Sequence, residues 1–449
     1  MTKRKQLIFY KVAVIGVALL FLFYPGIADK QPQIDARVMI TAIGVDKTEQ
    51  DKIMITAAIS VASGGGESSG GKETTASAEG DDLSDAIDSL ARALGKDAQL
   101  SHCGLVAFGR ELCMSGVEEE VSYLVASGLI SDGASVIAAD GTAEEFIDGA
   151  AGLSESAAFS LGSFLSFSVE NAQIPMVSLL RFASNCGSVG KGAYLPVVKM
   201  GPGGSNSGSG EQSGGQGGGQ KEQGGGQDSQ SQGEQGGEQG GGQDSQSQGE
   251  QGGEQGGGQK EQSGGSSGGS QEAQIASAEK ALIFKDYKGV AEFDEDTTLA
   301  ITWQDPQSDR GLVKLDKFEY DGENLGQFSF KMKKKGISVK AKFEEDKPVI
   351  IVKIKAQLET EDNHKLSEKQ EKGFTEKQLM DALRDKLKEY IDKQIKNGWE
   401  KAKEVKVDPF KYDARLYRKN AEKYEQTLSG TDALFEKLEL RTDIDLLII

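Results

Sequence analysis

Histidine is almost missing from this chain: His102 and His364 are the only two among 449 residues. A mechanism that needs two histidines, as metal ligands or as a base beside a nucleophile, would have to draw them from opposite sides of a long polar insert. Cysteine is nearly as scarce. With three, Cys103, Cys113 and Cys186, one stays unpaired within the chain, so no disulfide framework can be assumed. Cys103 and Cys113 sit in apolar contexts that suit buried thiols, with a bridge between them as the alternative. No Gly-Lys-Ser/Thr sequence follows the glycine clusters at 64–66 and 201–204, which read as linkers and not as phosphate loops. Positive charge is also in deficit. The net charge of −19 makes nucleic acid a poor partner.

The residues that could do chemistry form no constellation. His102 next to Cys103, with Cys113 further on, fits no zinc spacing, and it reads as a structural histidine in a strand. The carboxylate runs Glu118, Glu119, Glu120 and Glu344, Glu345, Asp346 read as solvated faces, and 294–296 lack calcium-loop spacing. The reading therefore assigns no catalytic, cofactor-binding or metal residue, expects no cofactor, and expects the protein not to be an enzyme.

What the sequence does have begins at residues 7–24, LIFYKVAVIGVALLFLFY, behind the cations Lys3, Arg4 and Lys5. Such a run engages a membrane, and the rest of the chain is expected on the extracytoplasmic side. Two forms stay open for residues 1–28: a retained anchor in which Lys11 snorkels, or a signal cleaved after the small residues Gly26 and Ala28. Charge divides the chain into about +4 for 1–28, −13 for 29–200, −8 for 201–272 and −2 for 273–449. The acidic 29–200 segment would stand off from an anionic lipid surface.

Periodicity gives the elements. Residues 37–46 and 52–61 are β-branched runs around a polar turn, which predicts a hairpin. Residues 64–80, without large apolar side chains, read as a flexible loop. Leu83, Ala86, Ile87, Leu90, Ala91 and Leu94 recur at helical spacing up to a Gly95 cap. A strand at 99–109, a helix at 110–126, a strand at 134–139 and a helix opened by Thr142 with Glu145 follow. Strands alternating with helices after a hairpin predict a mixed sheet with helices packed on it. A turn is expected at 171–176.

Residues 201–272 are built from Gly, Gln, Ser and Glu and contain GGGQDSQSQGEQGGEQ twice in tandem, at 224–239 and 240–255. No unit carries an apolar face, so the segment reads as a disordered tether whose ends would average roughly 45 Å apart. Beyond it, 280–284 and 289–293 predict a second hairpin. Short strands are expected at 298–303, 311–318, 327–333, 337–343 and 348–358, mainly as antiparallel sheet. Leu379, Leu383, Leu387, Ile391 and Ile395 stripe a helix over 376–397, capped by Thr375 and ended by Gly398. A helix at 411–428 follows the break at Asp408-Pro409. The alternation of Leu438, Leu440, Thr442, Ile444, Leu446 and Ile448 predicts a closing strand against the leucine stripe. The whole is α+β and multidomain: anchor or signal 1–28, an α+β domain 29–200, a disordered linker 201–272, a β-rich middle domain 273–345 and an α+β C-terminal domain 346–449.

The order of these segments resembles the C subunits of nutrient germinant receptors, the Ger(x)C family of spore germination proteins. The resemblance rests on IDARVMITAIGVDK at 34–47, SHCGLVAFGRELCMSGV at 101–117, ALIFKDYKGVAEF at 281–293, DPFKYDARLYRKNAEKYEQ at 408–426 and the closing strand. It implies three α+β domains, no catalytic activity, a place on the outer face of the inner spore membrane, and two multi-spanning membrane subunits as partners. The sequence departs from the family at 24–30, YPGIADK, which has no lipobox cysteine, so lipidation is not carried over. The expected function is a non-enzymatic, membrane-associated accessory subunit acting in spore germination. The alternatives are a stand-alone extracytoplasmic protein binding a small molecule or wall polymer, which an enclosed apolar pocket would favour, and a secreted hydrolase, which a carboxylate pair or histidine cluster in a cleft would favour.

Overall fold

Residues 37–47 and 53–60 pair as the predicted hairpin, and the first of two sheets grows outward from it. The computed structural model describes residues 13–15, 37–60, 73–151, 174–175, 177–201, 275–308, 311–360, 375–428 and 432–449. All that follows concerns these residues. The anchor or signal reading falls outside them except for the helical 13–15, and most of the turn expected at 171–176 does so too. Among the described residues no helix is long and apolar enough to cross a membrane.

In the first sheet, β1 (Arg37–Lys47) lies parallel to β4 (Asp97–Gln99) and β5 (Leu105–Phe108). Next to β5 come β6 (Ser135–Ala139) and β7 (Gly192–Gly201), also parallel. Antiparallel pairs close both edges: β2 (Ile53–Ser60) and β3 (Glu73–Gly80) on one, β8 (Ile275–Lys285) and β9 (Lys288–Phe293) on the other. The central strands are apolar on both faces, as strands covered by helices on each side must be. Ile40, Ile43, Val45, Val106 and Phe108 are buried on one face, while Ala42, Ala58, Leu105 and Ala107 meet a separate cluster on the other. Helix α1 (Leu83–Leu94) ends, as predicted, at Gly95, which takes the left-handed conformation, and it opens at an extended Asp82 whose carboxylate accepts from Asp85 N. The helix expected at 110–126 is broken by Gly116 into α2 (Arg110–Ser115) and α3 (Glu118–Ser127). Helix α4 (Ala143–Ala151) opens with the Thr142 hydroxyl accepting from Glu145 N at 3.2 Å. Helix α5 (Leu179–Cys186) and strand β7 had no clear period in the sequence.

Several expectations are corrected. Part of the supposed loop at 64–80 is strand β3, which pairs with the whole of β2 through Thr, Ser and Ala, residues too small to register as an apolar run. Residues 298–303 are not a strand but part of helix α6 (Glu295–Gln304). Asp294 caps it, accepting from Thr297 N at 3.0 Å, and the hydroxyls of Thr298 and Thr302 bond back to the Phe293 and Thr298 carbonyls, so the β-branched residues are accommodated. The ends of the insert do not stand 45 Å apart, because Gly201 and Ile275 are register partners in the β7–β8 pair. The insert thus interrupts a hairpin, whose ladder offsets the entropy of closing a long loop.

The second sheet runs β10 (Gly311–Tyr320), β11 (Glu323–Glu344), β12 (Lys347–Thr360), β13 (Glu439–Ile448), antiparallel except for the parallel last pair. The strands expected at 327–333 and 337–343 are thus one continuous β11. Helix α7 (Glu376–Val405) buries Leu379, Leu383, Leu387, Ile391 and Ile395 completely or nearly so. It does not stop at Gly398. A Cβ there would lie 2.3 Å from that of Ala300, so the glycine marks close packing against α6, and the helix ends at Lys406 with a φ of 55°. Trp303 Nε1 donates to Gln394 Oε1 at 2.8 Å across the same contact. The helix expected at 411–428 is two, α8 (Tyr412–Lys419) and α9 (Ala421–Thr427), split where Asn420 caps the second. A short α10 (Ala433–Lys437) leads into β13.

Candidate functional site

Past the end of α7 at Lys406, Asp408-Pro409 starts a loop, 408–413, that binds the two halves of the chain to each other. Proline cannot supply the amide a helix would need, and Asp408 instead folds the loop on itself. Its carboxylate accepts from Phe410 N at 3.0 Å and from Asp413 N at 2.9 Å. Lys411 adopts the left-handed conformation, φ 62°, and its ammonium reaches the turn before β7. There it donates to Asn185 O at 2.7 Å, Ser188 Oγ at 2.9 Å and Gly192 O. Two glycines permit the approach: a Cβ on Gly190 would fall 1.5 Å from Asp413 Oδ2, and one on Gly192 2.5 Å from Asp408 O. Phe410 and Tyr412 carry the loop into an aromatic cluster with Trp399, whose centroid is 6.4 and 5.2 Å from theirs, and Tyr412 donates to Gln304 Oε1 at 2.7 Å.

The electrostatics follow from burial. Asp408 and Asp413 are both 2% exposed. Burial first, and then the charge of Asp413, hold the Asp408 carboxyl well above the usual carboxylate range. Burial lowers Lys411 from the usual ammonium value, against the pull of Asp413 and Asp408. Beside the loop opens a cleft of about 360 Å³, lined by Val189, Lys285, Tyr424, Leu428, Leu434 and Phe435 among others. Asp413 forms part of the lining. Its Oδ1 accepts from Ala414 N at 2.5 Å, and the side-chain hydrogen bond that its carboxylate shares with Asp408 helps to raise the Asp408 pKa.

A larger groove of about 620 Å³ lies between α1, the β1–β2 turn and α3, lined by Asp51, Asp81, Glu118, Glu119 and Glu120 among others. Three of its carboxylates have cationic neighbours, Asp51 with Lys47, Asp81 with Lys52 and Asp286 with Lys191, while Glu118, Glu119 and Glu120 share the first turn of α3; Glu120 is buried there, against the expected solvated face, and burial raises its pKa.

The residues weighed in the sequence are placed as follows. His102 is exposed in the turn between β4 and β5, not within a strand, because Leu100 and Cys103 on either side take the buried positions. His364 lies outside the described residues. Cys103, Cys113 and Cys186 are buried free thiols, and burial pushes Cys103 and Cys186 up to about 12. Glu344 is held by Arg441 at 2.8 Å, while Glu345 and Asp346 form the β11–β12 turn at positive φ. Among the described residues no group of three His, Cys, Asp or Glu could hold a metal ion. The sequence reading missed Asp46, inside the motif at 34–47. Its carboxylate crosses to helix α4 and accepts from Ala143 N at 2.7 Å and Glu144 N at 2.8 Å, with Gly109 leaving it room. Burial raises its pKa, even though both amides favour the ionised form. It is a helix cap supplied from a distant strand.

Residues 29–200 match the family model described as spore germination protein N-terminal domain, and 279–449 match the one described as spore germination B3/GerAC like, C-terminal. A crystal structure of the GerBC protein aligns over 91% of this chain and 97% of that one, at 13% identity and a TM-score of 0.46. No curated protein matches the chain.

Proposed function

Because the chain belongs to the Ger(x)C family of spore germination proteins, both family models matching it in order on either side of the insert, we propose that it acts as a non-enzymatic accessory subunit of a nutrient germinant receptor. In this reading the subunit stands on the outer face of the inner spore membrane, attached through residues 7–24, beside multi-spanning membrane subunits. The paired family matches, which together cover well over half the chain, are the observation that carries the reading. The non-enzymatic part is supported by how the carboxylates are used. Asp46 and Asp294 cap helices, Glu344 pairs with Arg441, and Asp408 closes a loop, so each performs a structural task.

The test is capture from spores. A tag placed after Ile449, the exposed end of the closing strand, should recover the chain from detergent-solubilised spore membranes together with multi-spanning proteins. High salt should not release it, since salt screens charge but leaves apolar burial intact. Recovery of the chain alone, in the soluble fraction of untreated spores, would contradict the assignment.

A further inference from the structure

The larger groove, of about 620 Å³, is lined by more acid than the cations around it balance. Glu118, Glu119 and Glu120 enter it from α3, Asp81 and Asp82 from the start of α1, Asp51 from the β1–β2 turn and Asp286 from the β8–β9 turn, against Lys47 and Lys288. Lys52 and Lys191 pair with Asp81 and Asp286 from outside the lining, and seven carboxylates still face only four ammonium groups. One of the seven is buried. Glu120 is 7% exposed and lines the groove. Val117, the cap residue of α3, offers no side-chain acceptor, and among the described residues the only donor to the Glu120 carboxylate is its own backbone amide. Lys47, held by Asp51 at 2.5 Å, attracts it without bonding to it. A carboxylate so placed has lost most of its water and gained little in return, and a bound cation with N–H donors would compensate it.

We propose that this groove binds a linear polyamine, with one ammonium donating to the Glu120 carboxylate, a second reaching the acids at the start of α1, and the methylene chain lying against Tyr123 and Tyr287. The excess acid is spread over separate elements, so a single ammonium would leave most of it unbalanced. A metal ion does not fit, because among the described residues no group of three His, Cys, Asp or Glu could hold one. The volume is that of a small-molecule site. The inference goes beyond the receptor assignment and is read on the purified chain, so either can fail without the other.

The probe is spermidine, titrated calorimetrically into the purified full-length chain at about 0.15 M salt, where attraction to the chain's net charge is screened beyond about 8 Å. Butylamine, with one ammonium on the same four-carbon chain, is the comparison. Saturable one-site binding is expected, at least roughly tenfold tighter for spermidine, the range of a charge-assisted hydrogen bond. Glu120→Gln should weaken spermidine by a similar factor while the melting transition persists. Asp148→Asn removes the same charge from an exposed position on α4 outside the groove, and should change the affinity by less than about twofold. Should Glu120→Gln fail to fold, Ser84→Arg tethers a cation at the groove wall and should abolish binding. The proposal is overturned by an absence of saturable binding up to about 1 mM, by equal affinity for butylamine, by unchanged binding in either folded groove variant, or by an equal loss in Asp148→Asn.

Discussion

Replacing Lys411 by Met should unlock the junction between the halves. The substitution keeps the apolar stem and removes the ammonium, and the left-handed backbone at 411 is common to both residues, so its strain cancels. Asn185 O and Gly192 O lose a donor, and Ser188 Oγ, which already donates to Asn185 O at 2.7 Å, compensates only in part. Asp408 and Asp413 are left buried without their compensating cation. Removing one partner from such a buried group costs about 3–5 kcal/mol, and because Asp408 can relieve some of this by taking a proton, the lower end, about 3 kcal/mol, is expected. The assay is urea unfolding followed by tryptophan emission. Trp303 and Trp399 are the only tryptophans and both are buried, the second within 5.2 Å of Tyr412. The midpoint should fall by about 1 M or more. Lys285→Met, in the lining of the cleft, is the control and should stay within about 0.5 kcal/mol of the parent. A loss below about 1 kcal/mol at 411, or one equal to the control, would refute the view that this loop locks the halves.

Three further outcomes are expected. Leu387→Ala should destabilise the chain by about 2–5 kcal/mol in the same assay, since Leu387 is fully buried in the stripe of α7 and its truncation opens a cavity; a loss under 1 kcal/mol would mean the stripe is not packed. Replacing 202–274 by a four-residue turn should leave stability unchanged or raise it by up to about 2.5 kcal/mol, about four halvings of the loop that joins Gly201 to Ile275, and a marked loss would show that the insert packs on the fold. Asp408→Asn tests the buried carboxyl by its pH dependence. With the folded pKa raised above the unfolded value of about 3.9, the contribution of Asp408 is fully present below that value and is lost as pH rises through the folded pKa. The stability of the variant relative to the parent should therefore improve between pH 4 and 7, and a constant difference would contradict the raised pKa.

What was legible in the sequence was whatever repeats at short range. The hairpin at the start of the first sheet, the striped helix α7 and the closing strand all announce their buried faces within a few residues. Strand β3 escaped because Thr, Ser and Ala can line an edge strand without an apolar signal. Helix α6 was read as a strand because Thr298, Ile301 and Thr302 are β-branched, whereas the local Asp294 cap opens a helix there and the bond from Trp303 to Gln394, 91 residues away, fixes it against α7. Gly398 was read as a stop because local sequence cannot show that Ala300 lies against it. The candidate site was legible only as the break at Asp408-Pro409. Lys411 finds Asn185 across 226 residues, and no periodicity encodes a contact of that range.

The most direct test of the central claim is made in spores lacking this chain. Deletion should abolish or slow germination in response to nutrient while leaving germination triggered without nutrient intact. Restoring the gene should restore the response, and restoring it with Lys411→Met should restore it only in proportion to the folded protein recovered. An unchanged nutrient response after deletion, or a purified chain that turns over a substrate and loses that activity on His102→Gln without losing its fold, would contradict the assignment.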